Sequence, residues 1–199
     1  MKHFTAFFLA AILLLADACT SPQPPPALKE DSTGTAYLPV ADYLRAEISY
    51  VDSTPLAIQK FIIRDNRRDS SFIQQGEFNR LSKEFLLPEL MPDSFRKNYS
   101  ESSFMDKTTG YLSFTYSTLD KKLPLQRVDV LAAPGASMNK VKSIYLQKRF
   151  STGDTTVVQK MFWQTGRSFL ILTSLQIPGK PTVEHQLKVV WDAGDTEQN

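Results

Sequence analysis

The residue types that most often carry chemistry are scarce in this chain of 199 residues, which holds one cysteine, Cys19, and two histidines, His3 and His185. Imidazole is the commonest proton shuttle and metal ligand, so a single histidine beyond the N-terminal segment excludes His-rich zinc, copper and non-haem iron sites. For His185 to act as a base, the fold must bring it a nucleophile and an orienting acid; otherwise it is a half-buried strand histidine with a satisfied hydrogen bond. Gly135-Ala136-Ser137-Met138-Asn139 begins like a nucleophile elbow and lacks the closing glycine. Ser-x-x-Lys occurs at Ser137-Met138-Asn139-Lys140 and again at Ser94-Phe95-Arg96-Lys97, without companion motifs, as chance provides in such a chain. Glu84, Glu89, Glu101 and Asp106 are ordinary solvated acids unless folding sets two of them at the separation glycoside hydrolysis requires. Phosphate loops, dinucleotide fingerprints and EF-hand loops are absent from the sequence. The sequence thus assigns no catalytic residue, no cofactor and no metal, and it leans away from an enzyme.

Two further groups bear on binding. Phe162, Trp163, Phe169 and Trp191 form the strongest aromatic set; exposed together they would make a platform for a sugar, lipid or partner protein, and buried they would be core. The basic groups Arg64-Arg67-Arg68 and Lys140-Lys142-Lys148-Arg149 fall at hairpin ends or on strand faces, where cations more often protect edges than bind anions. With 23 basic and 21 acidic residues the formal charge is +2, which is no footprint of a nucleic-acid binder.

The elements that must position these residues begin after an export signal. Lys2 and His3 precede an apolar run from Phe4 to Ala16, which is too short for a membrane span of about 20 residues and is stopped by Asp17 and by Pro22, Pro24, Pro25 and Pro26. Leu15-Ala16-Asp17-Ala18-Cys19 resembles the bacterial lipobox, with Asp17 as its departure from the pattern. That resemblance implies that residues 1–18 are a signal peptide and that Cys19 becomes a lipid-modified N-terminus tethered to the membrane. Ala16-Asp17-Ala18 also suits the general signal peptidase, which would cut without acylation. Thr20, where an aspartate would retain a lipoprotein at the inner membrane, implies an outer-membrane address; periplasmic or surface orientation stays open. In overall pattern the chain resembles the uncharacterised lipoproteins of Bacteroidota-type bacteria.

Residues 19–36 are rich in proline and poor in large apolar groups, and form a tether that at about 3.1 Å per residue could reach about 50 Å. Residues 37–192 suit a single domain, and 193–199 a disordered tail. A chain with 42% hydrophobic and 11% aromatic residues can bury a core, and with one cysteine it must do so by packing alone.

Apolar spacing predicts a helix over 40–51 and a second over 76–87, with a short helical turn over 94–99. Segments 56–64 and 70–73 predict a hairpin. Strands are expected over 109–116, 125–132, 141–150, 155–163, 168–177 and 182–191, the last four separated by hairpin-sized, glycine-bearing turns. The expected class is α+β: two N-terminal helices and a hairpin packed on a mainly antiparallel meander of about six strands. Alternation places Val183, His185, Leu187, Val189 and Trp191 on one face, and opposes Val157, Gln159, Met161 and Trp163 to Val158, Lys160 and Phe162. With apolar residues on both faces the sheet is expected in a sandwich-like core, or else curved around a groove.

These features point to a tethered, non-enzymatic binding or assembly module that meets an envelope protein, glycan or lipid. Two alternatives are an envelope hydrolase with an acid-based site and a lipid carrier; a curved sheet covered by helices looks like the half-barrels of lipoprotein-localisation factors.

Overall fold

The computed structural model describes residues 37–64, 67–134 and 141–191. Cys19, the signal and tether segments, the tail and the Ser137 motifs lie outside these residues.

Helix α1 (Val40–Ser53) buries Val40, Tyr43, Leu44 and Val51, one apolar stripe at helical spacing. It stops because Thr54, ahead of Pro55, is driven to extended backbone (φ −110°, ψ 135°). The hydroxyls of Ser53 and Thr54 donate to the Tyr50 carbonyl at 3.2 and 2.7 Å, closing the last turn. Strands β1 (Ile58–Arg64) and β2 (Arg67–Ile73) then pair as an antiparallel hairpin. Helix α2 (Gln75–Ser82) passes into a 3-10 turn at Lys83–Phe85, shorter than the expected 76–87 because Pro88 holds Leu87 extended (φ −80°, ψ 140°). A second 3-10 turn, Pro88–Leu90, leads to helix α3 (Pro92–Asn98), which opens on a proline.

The remaining strands are β3 (Ser100–Met105), β4 (Leu112–Ser117), β5 (Leu125–Ala132), β6 (Val141–Thr152), β7 (Thr155–Gln164), β8 (Ser168–Gln176) and β9 (Val183–Val190). All described strands join one antiparallel sheet in the order β2-β1-β9-β8-β7-β6-β5-β4-β3. Three α-helices on one face of an open nine-stranded sheet make the class α+β.

Three expectations need correction. The hairpin is part of the sheet rather than a layer on it, because β1 pairs with β9 from Gln59↔Val190 to Arg64↔His185. The meander gains β3, whose Ser-Glu-Ser-Ser-Phe-Met carries almost no apolar alternation and is held by backbone pairing to β4. Finally, there is no sandwich among the described residues. The face away from the helices bears Phe61, Ile63, Tyr145, Phe162, Leu170 and Leu172 with no second sheet over it, and Phe162 is 41% exposed there.

The core lies between helices and sheet. Phe78 of α2 meets the Trp191 ring edge-on at 5.3 Å, and Phe85 does the same to Trp163 at 5.2 Å. Trp163 stacks on Phe169 at 5.6 Å. Toward the β3 edge, Phe95 of α3 packs on Tyr37, Tyr99 and Tyr116. These rings fill the middle of the helix-side face, and a cleft lies beyond them toward one end of the long strands.

Candidate functional site

That end is where alternation and register place polar residues on the helix-side face. One row across the sheet is wholly apolar: Ile62, Leu187, Ile171, Met161 and Leu146 are successive cross-strand neighbours on β1, β9, β8, β7 and β6. Two residues further along each strand, the same face presents Arg64, His185, Thr173, Gln159 and Lys148, again paired in sequence from strand to strand. The next row returns to Val183, Leu175, Val157 and Phe150. A polar ladder five strands wide therefore lies between two apolar ones.

Helix α2 and the turn after it form the wall of a cleft of about 400 Å³ over this ladder. Glu77, Arg80, Leu81 and Glu84 line it from the helix side, and Lys60, Ile62, Arg64, Gln159, Ile171, Thr173, His185 and Leu187 from the sheet. Lys60 Nζ lies 2.6 Å from Glu77 Oε1, and Arg80 reaches the same oxygen at 3.7 Å. Lys148 approaches Glu84 at 3.9 Å while lying over the Phe150 ring. The Arg64 guanidinium makes no hydrogen bond or ion pair among the described residues. Gln159 donates weakly to Thr173 Oγ1 at 3.4 Å, and its Oε1 is buried with no partner. A buried amide oxygen without a donor costs about 1–3 kcal/mol, so such a group calls for an explanation. On the other side of the sheet, at the same end, a second hollow of about 520 Å³ is lined by Ile63, Lys160, Leu172, Glu184 and Gln186.

The chain matches no protein-family model, no curated protein and no solved structure.

The residues singled out from sequence separate in space. Trp163, Phe169 and Trp191 pack together in the core at 0%, 1% and 4% exposure, so they form no surface platform. Phe162 points to the opposite face, against Tyr145 at 4.7 Å. Ser94 accepts a hydrogen bond from Asn98 on α3, and its neighbour Phe95 is core. Of the acids, Glu84 lines the cleft and Glu101 has a buried, unpartnered Oε2. Asp106 is bound to the Thr108 N–H and the Thr109 hydroxyl in the β3–β4 turn, which holds its carboxyl below the usual range. Glu84, Glu101 and Asp106 thus sit in the cleft, on β3 and in the β3–β4 turn.

His185 does enter the cleft, between Arg64 and Thr173 on the ladder. It shares the face of Leu187 and Val189, as alternation expects, and the register sets Arg64, Gln159 and Lys148 on the same ladder, which no single-strand pattern specifies. Among the described residues, no group of three or more His, Cys, Asp or Glu could hold a metal ion, and no helix is long and apolar enough to cross a membrane.

Proposed function

We propose that this chain is an envelope lipoprotein, tethered to the outer membrane through a lipid on Cys19, whose folded part is a non-enzymatic binding module. The observation that supports a binding role most directly is the ladder of Arg64, His185, Thr173, Gln159 and Lys148, which runs under a cleft and holds an amide oxygen with no partner. The cleft carboxylates support binding over hydrolysis: Glu77 lies against Lys60 at 2.6 Å and Glu84 lies 3.9 Å from Lys148, so each acid faces a cation rather than the other acid. Carriage of a ligand inside the helix–sheet layer is disfavoured, because Phe78, Phe85, Trp163 and Phe169 occupy it.

A photo-crosslinking residue at Leu81, in the full-length chain in bacterial cells, tests the binding role. We expect an adduct that is absent when the same residue replaces the exposed Leu119; identical adducts at both positions would overturn it. Intact mass of membrane-extracted protein tests the tether. Acyl mass on Cys19 is expected, and a fragment beginning at Cys19 without it would remove the lipoprotein reading.

A further inference from the structure

Resting on the binding role just proposed, we infer that the cleft takes an anionic amphiphile: a phosphate or carboxylate head held by Arg64 and Arg80, with an apolar group laid over Ile62, Ile171 and Leu187. Three features carry this.

The first is charge. Lys60 and Arg64 on the sheet face Glu77, Arg80 and Glu84 on the helix side of the cleft. Glu77 is already engaged by Lys60 at 2.6 Å. Arg80 is left at 3.7 Å from the same oxygen, with its side chain 70% exposed, and Arg64 has no partner among the described residues. Two guanidiniums without a full complement of acceptors suit the forked geometry of a phosphate or carboxylate. Either could move to a ligand without breaking a close ion pair.

The second is pattern. A free anion needs only the cations, and a sugar would be served by polar groups throughout. Here the polar ladder is bounded by a continuous apolar row, and Leu81 of α2 overhangs that row. Apolar floor beside a polar step matches a molecule with both characters, since each part is removed from water by its own kind of surface.

The third is the unpaired Gln159 Oε1. It lies on the ladder between Thr173 and Lys148, three strands from Arg64, and supplies an acceptor at the far side of the cleft. A hydroxyl or N–H that the ligand carries away from its anionic head would satisfy it.

The test uses the full chain carrying Cys19→Ser, so that no attached lipid competes, with dodecyl phosphate below its micelle concentration as the probe and calorimetry as the readout. Dodecyl phosphate is expected to bind, and Arg64→Glu and Arg80→Glu are each expected to weaken it about tenfold or more. Binding should weaken further as salt rises, because the cations are solvent-accessible. Both variants change exposed side chains, and an unaltered circular dichroism spectrum certifies the fold. Three results would each overturn the inference: equal affinity for neutral dodecyl maltoside, equal affinity for inorganic phosphate, or binding only to phosphatidylglycerol vesicles and not to the monomeric probe. Capture of a peptide or glycan by the Leu81 crosslinker would also end it while leaving the binding role intact.

Discussion

The carboxylate of Glu47 accepts the backbone N–H of Gly166 at 2.8 Å, tying the middle of α1 to the β7–β8 turn. The same oxygen accepts the indole N–H of Trp163 at 3.3 Å, so one acid anchors both a helix and the largest core side chain. We expect Glu47→Ala to cost about 1–3 kcal/mol, because the indole N–H is then buried without an acceptor. Glu47→Gln, which keeps an acceptor oxygen, should lose less. Urea midpoints at constant m-value check this, and equal losses for the two variants would refute it.

Phe85 touches Trp163 at 5.2 Å and Phe169 at 5.3 Å with none of its own surface exposed. Truncation to alanine should cost about 3–5 kcal/mol, through lost burial and the cavity that remains. Water entering beside the indole should shift tryptophan emission to the red. Retention of the wild-type denaturation midpoint would show that the helix layer is not held to the sheet by this ring.

Burial holds the phenols of Tyr43, Tyr99 and Tyr116 well above the ordinary tyrosine value of 10.0. In the unfolded chain they ionise near that value, and in the folded chain they stay protonated beyond it. The folded state therefore keeps more protons at alkaline pH. Their contribution is fully present below about pH 10 and is lost progressively as pH rises through the folded values. Urea denaturation across that range should show a decline that Tyr43→Phe reduces, since that variant has one phenol fewer to ionise. A decline as steep in Tyr43→Phe as in the parent would contradict this account.

Gly110 closes the β3–β4 turn at φ 72°, and a Cβ added there would lie 2.9 Å from the Pro134 ring. Gly110→Ala combines a left-handed backbone penalty of about 1–2 kcal/mol with a contact that a rigid ring yields poorly. We expect a larger loss than for Gly153→Ala, where φ is 58° but no atom lies within 4 Å. Thermal melts of the two variants in parallel decide it, and equal melting temperatures would count against the steric part.

Much of the architecture could be read from local pattern. The spacing of Val40, Tyr43, Leu44 and Val51 is strong enough to mark α1, and glycines at 153, 166 and 179 mark the turns of the last four strands, all at positive φ. Alternation also assigns the faces of β7 and β9 correctly, because each strand carries tryptophan or leucine at the right parity. β3 is illegible for the opposite reason: Ser100 to Met105 is mostly polar and mostly exposed, so its strand state comes from pairing to β4. The cleft was missed on similar grounds. His185, Arg64, Thr173, Gln159 and Lys148 come from five separate strands, and only the inter-strand register aligns them. Register depends on long-range pairing that a single chain pattern does not specify.

The pairing of Gln59 with Val190 joins nearly the first described strand residue to the last. Assembly order is its consequence. Until β9 has formed, β1 and β2 are an isolated hairpin, and a two-stranded ribbon is marginal in water. The chain must close a loop spanning most of its length before the hairpin is stabilised, and such distant contacts slow folding to the millisecond-to-second range typical of β-rich domains. A nascent or truncated chain lacking residues 183–190 would therefore hold an open β8 edge and a detached Phe61 and Ile63, and the ladder of the cleft would come into being only with the last strand.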